Sequence, residues 1–384
     1  MSVLLIKNGC VHDGRGNVLP QCDVLVENGL IKAVGQRLSA PGAEVLDAAG
    51  KQVLPGFISA MTIQGATGPG WKDDDLNEQS DPVTPELSVV YSFDQDNMNF
   101  QEQWLYGVTS VGVVPKPGNV LGGQMAVFKT CGRSPYTMLV RERAAMLASV
   151  SAATKEGYAP RNAAPMTRMG AVALLAGALK KAETYTDTSD YDPKSEALLP
   201  VLRGEMPLFV NALSRAQMDA AEMALRQFTD VKLVFTGAYG LDDGRESVRS
   251  GRCAALVGDL TEAMTSANAN VDFAAIGRLC DAGAQIALCC GGDSFAGGKE
   301  SLLWNAIQWH KNGMPSERVL QLMTSAPADI LGVGDKVGSI EPGKHADLSV
   351  WSANPIETYT ARLEAVYLQG ENLLTRKEGR KSCW

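Results

Sequence analysis

Three histidines, His12, His310 and His345, are all the imidazoles in this 384-residue chain, so a site needing several of them together cannot be built from it. Eight cysteines stand at positions 10, 22, 131, 253, 280, 289, 290 and 383, none in a CxxC pair with zinc-ligand spacing. A chain of this size needs no disulfide staples, and we read them as reduced thiols of a cytoplasmic protein. Cys289-Cys290, followed by Gly291-Gly292-Asp293, sets a thiol near a carboxylate. A cysteine nucleophile needs a base or cation to hold its thiolate, and no histidine is local, so buried, inert cysteine is the plainer reading. The acidic run Asp73-Asp74-Asp75, with Glu78 and Asp81, lacks the spacing and central glycine of a calcium loop and reads as a solvated segment. Gly122-Gly123-Gln124 and Gly297-Gly298 fit neither glycine pattern that cradles phosphate, and read as tight loops. His310, one turn beyond Ile307 on an apolar helix face, reads as a packed histidine.

The elements that must position these groups follow from texture. Residues 1–54 read as short strands (Val3–Ile6, Asp23–Glu27, Leu30–Val34, Glu44–Asp47) separated by Asn-Gly and Gly-rich turns. From 55 to 337, apolar runs such as Ser110–Val114, Leu208–Asn211, Lys232–Phe235, Ala254–Val257 and Gln285–Cys289 alternate with helical stretches such as Met169–Tyr185 and Gln217–Phe228. Alternation over that length predicts a parallel α/β fold, and the length suits a (β/α)8 barrel. Strands return at Ala346–Trp351 and Ala365–Leu368, so 1–54 and 338–375 are expected to join in one small β-sandwich, with 376–384 a mobile tail. Lys and Arg number 35 against 43 Asp and Glu, a net charge of −8, and no basic block appears; nucleic acid is excluded as a partner. The N-terminal apolar run is too short for a signal peptide, and no stretch is long enough to span a membrane.

Lys51-Gln-Val-Leu-Pro-Gly-Phe-Ile58 and Val337-Gly-Ser-Ile-Glu-Pro-Gly-Lys-His-Ala-Asp-Leu348 resemble the segments that open and close an amidohydrolase-superfamily barrel. Asp81-Pro-Val-Thr-Pro85, Asn119-Val-Leu-Gly-Gly-Gln124, Lys129-Thr130 and Met166-Thr-Arg-Met-Gly170 resemble its imidazolonepropionase-related branch. The resemblance implies a distorted (β/α)8 barrel with a sandwich from both termini. It also implies hydrolysis of non-peptide C–N bonds in small cyclic amides or blocked amino acids, using one or two divalent metals, zinc by default. Such a metal lowers the pKa of its bound water and polarises the scissile carbonyl, and it needs imidazole and carboxylate ligands. Where the family's first strand carries two histidines this sequence has Met61 and Ile63; Leu147 stands for the bridging lysine, and Asn211 and Thr236 for two further histidines. The family's last ligand, an aspartate, falls on Asp293 or, in an ungapped match, on Gly291.

Two readings follow. In one, the chain is a pseudoenzyme with no resident metal, whose barrel binds a small-molecule ligand or pairs with a second copy or a histidine-complete relative. In the other, it is an imidazolonepropionase-like hydrolase with an atypical or metal-free site, in which Asp293 is the candidate catalytic group. Gly122, Gly123, Gln124, Lys129, Arg168 and Asn211 are the candidate binding residues for either. Lys116 and Arg143 would add to an anion site if they converged on the barrel mouth.

Overall fold

The computed structural model describes residues 3–66, 75–97, 100–186, 190–258, 260, 271–289 and 299–375. Asp73, Asp74, Cys290, Gly291, Asp293, Gly297, Gly298 and the expected tail at 376–384 lie outside the described residues.

Five strands come first: β1 (Val3–His12), β2 (Val18–Glu27), β3 (Leu30–Gly35), β4 (Glu44–Asp47) and β5 (Gln52–Pro55). Asn8-Gly9 does not turn the chain, as its composition suggests, but sits inside β1. Asn8 takes a left-handed φ of 61°, its amide donates to Asp23 Oδ1 at 2.8 Å, and the register against β2 slips there. A residue pair that favours positive φ serves a bulge as well as a turn, and the partner strand decides which.

The next eight strands are β6 (Phe57–Thr62), β7 (Val108–Val113), β8 (Leu121–Lys129), β9 (Leu139–Ser149), β10 (Leu208–Asn211), β11 (Leu233–Gly237), β12 (Ala254–Val257) and β13 (Ile286–Leu288). They form one sheet in chain order, and β13 returns beside β6, so the barrel is nearly closed. Both faces of most of these strands are covered, which is why they read as continuous apolar runs rather than alternating ones. Helices cover the outside. Arg168–Glu183 buries Ala171, Leu175, Leu179 and Ala182, a single helical face, and Thr167 caps it by accepting from Gly170 N at 3.1 Å.

The barrel departs from strict alternation in one place. β8 runs antiparallel to both β7 and β9, and only the four-residue helix Pro135–Met138 lies between β8 and β9. The apolar-run pattern missed β8 and β9 because Gly122-Gly123 follow the first residue of β8 and the polar Arg141-Glu142-Arg143 interrupts the start of β9.

Three strands close the described chain: β14 (Leu348–Trp351), β15 (Leu363–Leu368) and β16 (Glu371–Asn372). β14 pairs with β5, Leu348 opposite Pro55 and Val350 opposite Val53, so both ends of the chain share one sheet. Its core holds Ile6, Val24, Val53, Leu348, Val350 and Tyr367.

Candidate functional site

The seven mutually parallel barrel strands end at one mouth, and β8, running the other way, begins there. Backbone hydrogen bonds bind much of this rim: Val114 N to Thr62 O at 3.0 Å, Ser149 N to Val120 O at 3.1 Å, Val150 N to Asn211 O at 3.1 Å, Ala212 N to Thr236 O at 3.0 Å and Cys289 N to Val257 O at 3.1 Å. Functional side chains of such barrels belong at this end.

Which side chains point inward follows from one contact. Phe235 carries the Arg245 guanidinium 5.6 Å from its ring centre, and Arg245 is held by Asp219 and Glu222 on the covering helix Arg215–Leu225. Phe235 therefore faces the helices, and its neighbour Thr236 faces the interior. Register pairs Thr236 with Asn211, and Asn211 with Ser149, so the three side chains lie in a row across β11, β10 and β9. Two residues deeper, Leu147, Phe209 and Val234 form the next row on the same side.

This donor set does not fit a hydrolytic divalent metal. Met61 and Ile63 are each 2% exposed, and Leu147, Asn211 and Thr236 are as buried. A thioether, two hydrocarbons, an amide and a hydroxyl offer neither imidazole nor carboxylate. Among the described residues no three His, Cys, Asp or Glu side chains come together as a metal site would require. The histidines lie elsewhere: His12 Nδ1 meets Glu317 at 2.6 Å, His310 Nδ1 meets Met314 O at 3.0 Å, and His345 lies before β14. The candidate catalytic Asp293 and its alternative Gly291 lie outside the described residues.

What the row does hold is neutral hydrogen-bonding capacity. Asn211 is 1% exposed and Thr236 fully buried, yet among the described residues Asn211 Oδ1 and Thr236 Oγ1 have no hydrogen-bond partner. A buried polar atom left so costs about 1–3 kcal/mol. Ser149 Oγ is 3.0 Å from Ser151 Oγ and accepts from Ser151 N at 3.3 Å.

The other candidate residues part company. Gly122, Gly123 and Gln124 open β8 at the mouth, but their work is packing: Gln124 N donates to Leu87 O at 2.7 Å and its side chain to Pro85 O at 3.1 Å. Gly123 has φ +119°, and a Cβ there would lie 2.8 Å from Leu87 O, so glycine admits the 83–88 segment against the strand. Lys129, at the far end of β8, is 4% exposed and makes a buried ion pair with Asp347, fastening the barrel floor to the terminal sheet. It stands a strand's length from the mouth. Arg168 and Arg143 are exposed, Arg168 at the first turn of its helix, and Lys116 is half-buried in the β7–β8 loop. The four basic groups therefore do not converge. Of the acidic run, Asp81 pairs with Lys194 at 2.6 Å, and Glu78 accepts from Ser80 N at 3.0 Å.

Sequence reasoning did not find Tyr158, Ser149 or Ser151. Tyr158 Oη donates to Asn119 Oδ1 at 2.7 Å, and Asn119 Nδ2 donates to Glu78 O at 2.7 Å and Thr84 Oγ1 at 3.0 Å. Burial pushes the Tyr158 phenol up to about 12, so it remains a neutral donor that locks one wall of the mouth. The Ser-Val-Ser spacing at 149–151, at the end of an apolar strand, was the available signal for the serines.

Residues 214–373 match the amidohydrolase family. The chain is similar to a solved amidohydrolase from Thermotoga maritima MSB8, with 29% identity, coverage of 96% of this chain and 99% of that one, and a TM-score of 0.88. It is 25% identical over 387 aligned residues to amidohydrolase tasK of Hapsidospora irregularis, covering 91% of this chain but only 39% of that relative's length. A shorter stretch of 74 residues is 40% identical to the dihydroorotase of Aquifex aeolicus (strain VF5), covering 19% of this chain and 18% of the relative.

Proposed function

We propose, from the premise that the chain is an amidohydrolase-family member, that it is a non-catalytic barrel of that family with no resident metal, which binds a small uncharged molecule at its mouth. One observation carries this: the buried positions at and just below the mouth ends of β6, β9, β10 and β11 are Met61, Ile63, Leu147, Asn211 and Thr236. Water activation by a divalent ion needs several anionic or imidazole ligands to hold the ion, and these side chains supply none. A cytoplasmic setting, association with a second copy or with a histidine-complete relative, and membership of the imidazolonepropionase-related branch belong to the same reading. No described helix is long and apolar enough to cross a membrane.

The competing reading, hydrolysis of a non-peptide C–N bond of a small cyclic amide or blocked amino acid, is favoured by names alone: the relatives similar over most of the chain are called amidohydrolases. Elemental analysis separates the two. Protein purified without chelators should carry far less than one equivalent of Zn, Mn, Fe or Ni per chain. A value near one or two, with hydrolytic activity lost on chelation, overturns the proposal.

A further inference from the structure

We infer that the 343–347 segment is an acid-sensitive latch, in which a proton on His345 unpins the terminal sheet from the barrel floor. The device is independent of what the mouth binds.

The segment holds the junction from several sides. Gly343 N donates to Ile31 O and Lys344 O accepts from Ile31 N, both at 2.8 Å, which seats it against β3. Ala346 N donates to Gly29 O at 2.8 Å, and Ala346 O accepts from Gly370 N at 3.0 Å. Asp347 O accepts from Gly56 N at 2.8 Å, where β5 passes into β6. The Asp347 carboxylate completes the set: Oδ2 pairs with Lys129 of β8, and Oδ1 accepts from Gln369 N at 2.9 Å.

His345 stands in the middle of these ties, half-buried, with Nδ1 shut away from solvent and without a partner among the described residues. An imidazolium needs acceptors at both ring nitrogens, so the neutral ring is the form that this place accommodates. The charges point the same way. Burial first, and the Lys129 ammonium second, hold the His345 pKa below 6.5; Lys336 adds to them, while Asp347 and Asp335 oppose them. Both oxygens of Asp347 are already engaged, and Lys344, the segment's own lysine, pairs with Glu341 at 2.6 Å. Protonated His345 therefore sets two cations, itself and Lys129, against one carboxylate in a buried junction. His12, hydrogen-bonded at both ring nitrogens, is tuned the other way.

An opened segment takes up its proton near 6.5 and the closed one only at lower pH. Closure is therefore complete above 6.5 and weakens as pH falls toward the folded value.

Amide exchange of the full chain at pH 5.0 and 7.5, corrected for intrinsic rates, reads the latch. Opening at Ile31, Gly56, Gly343, Ala346, Gln369 and Gly370 should be about threefold or more greater at pH 5.0, and amides of β10–β12 should change by less. His345→Gln, which has no ring to titrate, should abolish this difference. In the wild type, ring-carbon resonances of the three histidines should show His345 titrating below 6.5 and His12 above it, a readout that needs no variant to fold. Lys129→Met should move the His345 titration upward, because the competing ammonium is gone. A wild-type His345 that titrates at or above 6.5, acid exchange that quickens equally in the junction and in β10–β12, or a His345→Gln chain that opens in acid as wild type does overturns the latch.

Discussion

His12 shows what the scarce imidazoles do in this chain. It is 4% exposed, with Nδ1 2.6 Å from Glu317 and Nε2 2.7 Å from Gln52, and it ties β1 and β5 to the helix Ser316–Leu322. Burial alone pulls its pKa down, but the hydrogen bonds to Glu317 and Gln52, with the charges of Glu317 and Glu357, outweigh it and hold the pKa above 6.5. A group raised in the folded state contributes stability that is full below the unfolded value of about 6.5 and fades as pH climbs through the folded value. Urea unfolding of wild type and His12→Gln should therefore differ by roughly 1–2 kcal/mol at pH 5.5 and by less at pH 9. A gap that stays constant with pH would mean that the imidazole binds Glu317 without its proton. Lys129 makes a related point: a basic side chain in a barrel strand reads as a ligand contact, but buried against Asp347 it serves as a fastener.

At the scale of elements, β8 is the departure that shapes the mouth. Lying antiparallel between β7 and β9, it draws the 83–88 segment onto its edge through Thr84 N to Leu121 O at 2.9 Å and Gln124 N to Leu87 O at 2.7 Å. Asn119 then joins that segment to Tyr158. Asn119→Ala should leave global stability within about 1–3 kcal/mol of wild type, the range for a broken buried hydrogen-bond set. Amide exchange over 75–88 and 153–158 should quicken while that of β10–β12 does not; uniform acceleration would deny the wall its independence. Most of the parallel strands were legible from sequence because burial on both faces leaves an unbroken apolar run, and Leu208–Asn211 and Ala254–Val257 fall where that signal puts them. β8 and β9 were not, because two glycines and a charged triplet mask strands whose need is set by neighbours far along the chain. The mouth was half legible. Residue type alone told that Met61 and Ile63 offer neither imidazole nor carboxylate, but the row formed by Ser149, Asn211 and Thr236 exists only through register, which no local pattern encodes.

At the scale of the whole molecule, the two sheets are not independent. β5 lies between β1 and β14, and Lys129–Asp347 joins the barrel floor to the loop that leads into β14. A chain cut after residue 345 loses Leu348, Val350, Ala365 and Tyr367 from the terminal core and the partner of Lys129 as well. It should therefore be recovered aggregated rather than as a folded barrel; a soluble truncation with a cooperative unfolding transition would show that the barrel stands alone. The shared sheet also imposes a timetable on synthesis. β5 leaves the ribosome roughly 290 residues before the strand that covers its free edge, a wait on the order of 15–60 s at ~5–20 residues per second. Throughout that interval Val53 and Leu54 belong to a strand with an uncovered edge, and any pause late in the message lengthens its exposure.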